Sequence, residues 1–317
     1  MKAVFLDFAT LGPNLDQSSM QNVLPGIEVF DITSDEEIAE RIAGAEFILG
    51  NKVRINAQHM LDNPGLRFIG LTATGTDNVD LVAAKENAIA VSNIRAYCTE
   101  SIAEHVFGSL LNLTRSLSQY NAAVRAGAWQ QSKDFCLLSY PIRGLSAMTL
   151  GIVGFGDLGR GVQKVGQAFG MNIIISARPG SDAVPDGRVD FEELLAIADV
   201  VSLHCPLTPE TTGLFTTEEF RRMKSDSILI NTARGGLVDS AALVTALETG
   251  EIGGAVIDVL PEEPPVNGNP LLDYAGSNLL MTPHVGWASN EARQAGLDQL
   301  MSNVSAFQNG KVLNRVV

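Results

Sequence analysis

The stretch GIVGFGDLGRG, residues 151–161, does most to limit what this chain can become. Gly154, Gly156 and Gly159 form G-x-G-x-x-G directly after an apolar strand-type run and at the opening of a helical segment. There the first glycine makes the tight turn and the second lets backbone approach a pyrophosphate. The third allows close packing of helix on strand. The pyrophosphate would sit on free N–H groups at the helix start, which places Gly156, Asp157, Leu158 and Gly159 against it.

The rest of the chain supplies the sheet. KAVFLDF (2–8), EFILGN (46–51), LRFIGLTAT (66–74) and AIAVSN (88–93) read as short strands. SDEEIAERIAG (34–44) reads as a helix, opened by Ser34 and Glu37 at capping-box spacing and closed at Gly44. From residue 149 a second series follows: LGIVGFG, NIIIS (172–176), DVVSLHC (199–205), SILINT (227–232), GGAVIDVL (253–260) and NLLMTP (278–283). A final helix over 288–310 is expected to cross back onto the first series. Strand runs bounded by helices imply parallel sheets covered on both faces. The expectation is an α/β chain of two doubly wound domains, one of residues 99–285 inserted into another of 1–98 plus 286–317.

Between the two series a helix is expected over 99–120, with Ile102, Val106, Leu110 and Leu113 at helical spacing. Residues 117–147 then show no clear period but carry Trp129, Phe135, Tyr140 and Pro141. Long irregular stretches inside compact domains usually have a task, and aromatics suit the anchoring of a partner subunit.

Composition narrows the partners. The 317 residues, 45% hydrophobic and 18% charged, suit a globular protein of two domains. A net charge of −14 repels a phosphate backbone, which argues against nucleic acid. Anionic ligands must therefore be met by placed arginines and backbone N–H groups. Cys98, Cys136 and Cys205 fit no metal spacing and suit a reducing compartment. No run is long enough for a secretory core or a bilayer span, so a cytoplasmic protein without a bound metal is expected.

Three cassettes carry the chemistry: NTARGGLVD (231–239), DVLPEEPP (258–265) and MTPHVGWAS (281–289). They contribute Arg234, Glu263 and His284. A cation, a carboxylate and an imidazole are the set needed to hold an anionic keto acid and protonate its carbonyl. Hydride addition builds negative charge on oxygen, so a proton donor and a fixed cation beside it lower the barrier. A neighbouring carboxylate favours the imidazolium, and the guanidinium fork matches a carboxylate as lysine does not. His59, His105 and His204 read as structural.

The end of the second strand chooses the cofactor. NAD-specific turns place a carboxylate there, about 20 residues on, for the ribose 2′-OH. Here the position is Ala177, followed by Arg178 and Pro179. Nothing repels a 2′-phosphate, and Arg178 can pair with one, so NADP(H) is favoured, with NAD(H) as the alternative.

At these cassettes, and at ATGTDNVD (73–80), SIAEHVFGSLLNLTR (101–115), VVSLHCPLTPETTGLF (200–215) and FCLLSYPIR (135–143), the chain resembles the D-isomer-specific 2-hydroxyacid dehydrogenases. Within them it is most similar to the glycerate dehydrogenase (hydroxypyruvate reductase) branch. The resemblance implies a Rossmann domain inserted into a flavodoxin-like substrate domain, with substrate taken up in the cleft between them. It implies that Arg234 binds the substrate carboxylate and carbonyl oxygen, that His284 is the acid–base, and that Glu263 is its partner. Backbone N–H groups of Thr74 and Gly75 would hold the rest of the carboxylate. Asp258 would meet the nicotinamide carboxamide, and Cys205, Pro206, Thr211, Thr232 and Ala233 would line the cofactor cleft. A homodimer built through about 117–147 is implied too. Trp287 and residues 51–53 are placed to shape the pocket around the substrate's third carbon. The expected activity is reduction of hydroxypyruvate or glyoxylate; reduction of pyruvate or phenylpyruvate, or a nucleotide-sensing binding role, are the alternatives.

Overall fold

The computed structural model describes residues 1–181 and 183–317. The chain divides into one unit of Met1–Cys98 with Ala288–Val317, and a second of Thr99–Trp287. The return to the first unit thus falls two residues later than expected.

The first unit is built on five parallel strands: β1 (Ala3–Phe5), β2 (Glu28–Val29), β3 (Phe47–Gly50), β4 (Phe68–Leu71) and β5 (Ala90–Ser92). Their order is β2-β1-β3-β4-β5, the flavodoxin-like arrangement. Side chains alternate between faces along a strand, and the two apolar cores divide accordingly. Ala3, Phe5, Phe47, Leu49 and Phe68 pack with Leu297, Leu300, Met301 and Val304 of the helix Asn290–Gln308. Val4, Leu6, Ile48, Ile69 and Leu71 pack with Ile38, Ile42, Ala83 and Ala84 on the other face. The final helix therefore does return to the first series, and the Ser289 hydroxyl caps it by accepting the Ala292 N–H.

Two local expectations change. Glu37 does accept the Ser34 N–H at 2.9 Å, but the pair closes a turn and the helix proper is Ile38–Ile42. β2 was not foreseen: it has two residues, both exposed, and offers no apolar run to read.

The second unit holds six parallel strands: β6 (Thr149–Val153), β7 (Asn172–Ile175), β8 (Val200–Leu203), β9 (Ile228–Asn231), β10 (Gly254–Ile257) and β11 (Leu279–Met281). Their order is β11-β10-β9-β8-β6-β7. Beyond β7 a single parallel bridge joins Ser176 to Val189. Counted as a strand, it completes the 3-2-1-4-5-6 order of a dinucleotide-binding sheet, with β11 added at the far edge. The order reverses between β6 and β8, so the crevice for a ligand lies at their carboxyl ends.

The helix expected over 99–120 is two helices, Thr99–Thr114 and Leu117–Arg125, broken where Ser116 turns left-handed at φ 49°. The Ser116 hydroxyl donates to the Pro141 carbonyl, and the Tyr120 hydroxyl to the Tyr140 carbonyl. The arm 117–147 is thus partly helical and folds back on itself. Leu117–Arg125 buries none of its residues, and Phe135 is 90% exposed.

Candidate active site

Three neighbouring parallel strands deliver the three cassettes. β9 leads into Arg234, β10 into Asp258 and Glu263, and β11 into His284. Parallel strands release their chains at one end of the sheet, so residues far apart in sequence arrive on adjacent loops. Gly235 makes the first two loops touch: a Cβ there would lie 1.9 Å from the Leu260 carbonyl carbon. Only a glycine lets the backbone after Arg234 run against Leu260–Pro261. The Arg234 Nη1 donates to the Ala233 carbonyl at 2.7 Å, and Asn231 donates through Nδ2 to the Arg234 carbonyl at 2.9 Å. The guanidinium is thereby tethered at one corner, with its other N–H groups left for a ligand.

His284 Nδ1 lies 2.6 Å from Glu263 Oε2, and Glu263 Oε1 accepts the Leu260 N–H at 2.8 Å. The carboxylate accepts, so Nδ1 carries the proton of this bond, and Nε2 has no hydrogen-bond partner among the described residues. Both side chains are about one-third exposed or less, His284 at 28% and Glu263 at 33%. His284 stands in the left-handed region at φ 56°. This is a strained conformation for a non-glycine residue, held by its surroundings.

Those surroundings centre on Asp258, which is 2% exposed. Its Oδ1 accepts from the Thr282 hydroxyl at 2.6 Å and from the Val285 N–H at 2.9 Å; its Oδ2 accepts from the Gly286 N–H at 2.9 Å. Thr282 is therefore an acceptor towards His105 Nε2, 3.1 Å away. Ser101, on the same helix, donates to the Gly286 carbonyl at 2.7 Å. One helix and one buried carboxylate thus clamp both sides of the His284 loop, and Trp287 donates from Nε1 to the His284 carbonyl. Sequence reasoning treated His105 as packing and missed this clamp; the SxxxH spacing on the helix (Ser101, His105) is the only trace of it.

The dinucleotide turn has the expected form. Gly154 stands at φ 92°, and a Cβ there would strike the His204–Cys205 peptide at 2.5 Å. Apart from Gly156 and its two chain neighbours, no described residue places an atom within 4 Å of a Cβ built there. Internal packing does not demand glycine there, and the open space suits the close approach of a pyrophosphate. Gly156 precedes the helix Asp157–Ala168 with no side-chain cap, which leaves its first N–H groups for an anion. The Thr232 hydroxyl is buried without a hydrogen-bond partner, on the loop after β9. These features fit a dinucleotide along the carboxyl ends of β6, β8 and β9. The Thr211 hydroxyl bonds to the Pro206 carbonyl at 2.7 Å and shapes the loop after β8. Burial pushes His204 down to about 4, so its ring is neutral, 2.8 Å from the Ser202 hydroxyl. Burial also pushes the Cys205 thiol up to about 11, which leaves it inert at neutral pH. Ala177 is buried at the end of β7, Arg178 is exposed and Pro179 half-buried.

In the first unit, Thr74 and Gly75 lie on the loop after β4, and the Thr74 carbonyl accepts from Asn93 at 2.7 Å. The loop at 51–53 follows β3 and hangs on Asp7, whose carboxylate accepts the N–H groups of Asn51, Lys52 and Val53 at 2.6 to 3.1 Å. Asn78 joins the two loops by donating to the Val53 carbonyl at 2.9 Å. Asp7, Lys52, Val53 and Arg54 line a cavity of about 350 Å³. Asp7 was missed, because a lone Asp ending a strand carries no sequence signal of the three N–H groups it gathers.

Comparison with known proteins agrees with this geometry. The family profile described as D-isomer specific 2-hydroxyacid dehydrogenase, NAD binding domain, matches residues 107–286. The chain is 45% identical to a glycerate dehydrogenase of Methylorubrum extorquens, over 99% of this chain and 98% of that one. It is 35% identical to a hydroxypyruvate reductase of Blautia hydrogenotrophica, over 100% and 99% of the two chains. Among solved structures, an acyclic imino acid reductase in complex with NADPH and D-Arg matches with a TM-score of 0.87 at 28% identity, over all of both chains. No helix among the described residues is long and apolar enough to cross a membrane.

Proposed function

The chain belongs to the D-isomer-specific 2-hydroxyacid dehydrogenases, and from that premise we propose that it reduces hydroxypyruvate to D-glycerate and glyoxylate to glycolate, with NADPH ahead of NADH. It is an oxidoreductase of small 2-oxo and 2-hydroxy acids. The 2.6 Å pair of His284 and Glu263, on the loops after β11 and β10 with Arg234 after neighbouring β9, carries the reading.

A dihydronicotinamide, when bound, would supply the hydride for C2 of the oxo acid. As the bond to C2 forms, the carbonyl oxygen gains negative charge, and His284 donates its Nε2 proton to it. Glu263 holds the ring through Nδ1–H and so fixes its orientation for the transfer. Arg234 fixes the substrate carboxylate through its planar fork and offers an N–H to the developing oxyanion. Trp287, in the same unit as Arg234, bounds the substrate. Asp258 is assigned to the nicotinamide carboxamide, in addition to the loop contacts it already makes.

The preference for NADPH rests on Ala177 where a carboxylate would grip a ribose hydroxyl, and on exposed Arg178 beside it. The similar imino acid reductase is itself a complex with NADPH. In an Ala177→Asp variant the ratio of kcat/KM for NADPH over NADH falls; an unchanged ratio removes this position from the assignment. The exposed apolar side chains Leu117, Val124, Trp129, Phe135 and Leu138 support a homodimer through the arm 117–147. The three free thiols favour a reducing, cytoplasmic setting.

Steady-state kinetics with hydroxypyruvate, glyoxylate, pyruvate and phenylpyruvate, each against NADPH and NADH, test the reading. The proposal expects hydroxypyruvate and glyoxylate to lead: a site built for a hydroxyl rejects pyruvate and phenylpyruvate, which place a bare methyl or a benzyl group there, whereas glyoxylate has no third carbon to place against it. A lead for phenylpyruvate replaces the substrate, and no turnover with any acid removes the activity.

A further inference from the structure

We propose that Arg188 is a second determinant of cofactor choice, gripping the 2′-phosphate of NADPH together with Arg178. The inference rests on the NADPH preference proposed above. Arg188 lies eleven positions beyond Ala177 in sequence, but the sheet brings the two together. The Val189 N–H donates to the Ile175 carbonyl at 2.9 Å, and the Ala177 N–H to the Val189 carbonyl at 2.7 Å. Residues 188–189 thus run as one more parallel strand along the end of β7. This delivers the Arg188 side chain to the place where the cofactor's ribose is read.

Its guanidinium is fixed there. The Cζ stands 4.9 Å from the centre of the Phe155 ring, the residue between the first two glycines of the turn. Nη1 donates to the Ser176 carbonyl at 3.3 Å. Stacking on an aromatic face and one hydrogen bond hold the plane, and among the described residues most of its five N–H donors have no other partner. Among the described residues the arginines in ion pairs are Arg41, Arg67, Arg143, Arg160, Arg221 and Arg222, and Arg188 is not one of them. A planar fork with free donors, beside an alanine that repels nothing, is suited to a dianionic phosphate. A ribose hydroxyl gains little from the same group.

Calorimetric titration of the full-length protein with adenosine 2′,5′-bisphosphate and with ADP tests the assignment. These probes differ in where the second phosphate sits, so they separate the 2′ contact from the rest of the site. The wild type is expected to bind the 2′,5′-bisphosphate more tightly. Losing a charge-assisted contact in Arg188→Gln weakens that ligand by about tenfold or more and leaves ADP nearly unchanged. Arg188→Lys, which keeps the charge but not the fork, retains part of the discrimination. Equal weakening of both ligands would mean that Arg188 only supports the turn, and overturns the proposal, as does unchanged discrimination in Arg188→Gln. A wild type that binds both probes alike instead sinks the NADPH reading itself.

Discussion

Glu263 holds His284 by one oxygen and is itself held by the other, through the Leu260 N–H. The imidazole is thus oriented by a carboxylate that cannot rotate without losing a backbone bond. Glu263→Gln keeps the shape but presents an amide where one of the two N–H donors needs an acceptor. Turnover is expected to fall by about a hundredfold, with the dissociation constant for NADPH, read by fluorescence, nearly unchanged. Loss of cofactor binding in step with turnover would show that Glu263 supports the fold and not the ring.

Gly235 joins the arginine loop to the glutamate loop, so a single methyl group should disturb both. In Gly235→Ala the new Cβ has only 1.9 Å to the Leu260 carbonyl carbon, and backbone must move. A displacement of about 1 Å in a catalytic constellation can cost about a hundredfold in rate. We expect kcat/KM to drop on that scale while the circular dichroism spectrum keeps its native form. Retained activity would mean that the two loops need not touch.

The clamp behind the histidine is tested at Thr282, which donates to Asp258 and accepts from His105. Thr282→Val leaves both partners short of a bond, at a cost of about 1–3 kcal/mol in a buried setting. Turnover should fall by about tenfold, and Thr282→Ser should restore most of it. If serine fails to rescue, the methyl group and not the hydroxyl is what matters.

Acid stability is tested at His204. Its folded value of about 4 lies below the ordinary 6.5, so between these the unfolded chain binds the extra proton. The contribution is therefore full above pH 6.5 and is lost as pH falls towards 4. Urea unfolding of the wild type across that window should show a decline in stability that His204→Gln flattens. Parallel declines in the two proteins would assign the acid sensitivity elsewhere.

Much of the site was legible because its chemistry travels in cassettes at strand ends. The glycine turn, Arg234, Glu263 and His284 each sit in a short motif whose residues meet one another locally. What stayed hidden depends on tertiary contact. Helical spacing runs unbroken through Ser116, and neither glycine nor proline marks the left-handed residue that splits the helix. Asp258 stood out for a role towards the cofactor, but its bonds to the loop at 282–286 follow from β10 and β11 lying side by side. Asp7 and Arg188 act on segments reached through the sheet, at 51–53 and at 176, and no local pattern announces either contact.

The most direct test is hydroxypyruvate-dependent oxidation of NADPH by the wild type and His284→Asn, alongside fluorescence titration of NADPH. The account predicts turnover by the wild type and a loss of about 10²–10⁴-fold in kcat for the variant, with cofactor binding preserved. Near-normal turnover by His284→Asn would contradict it.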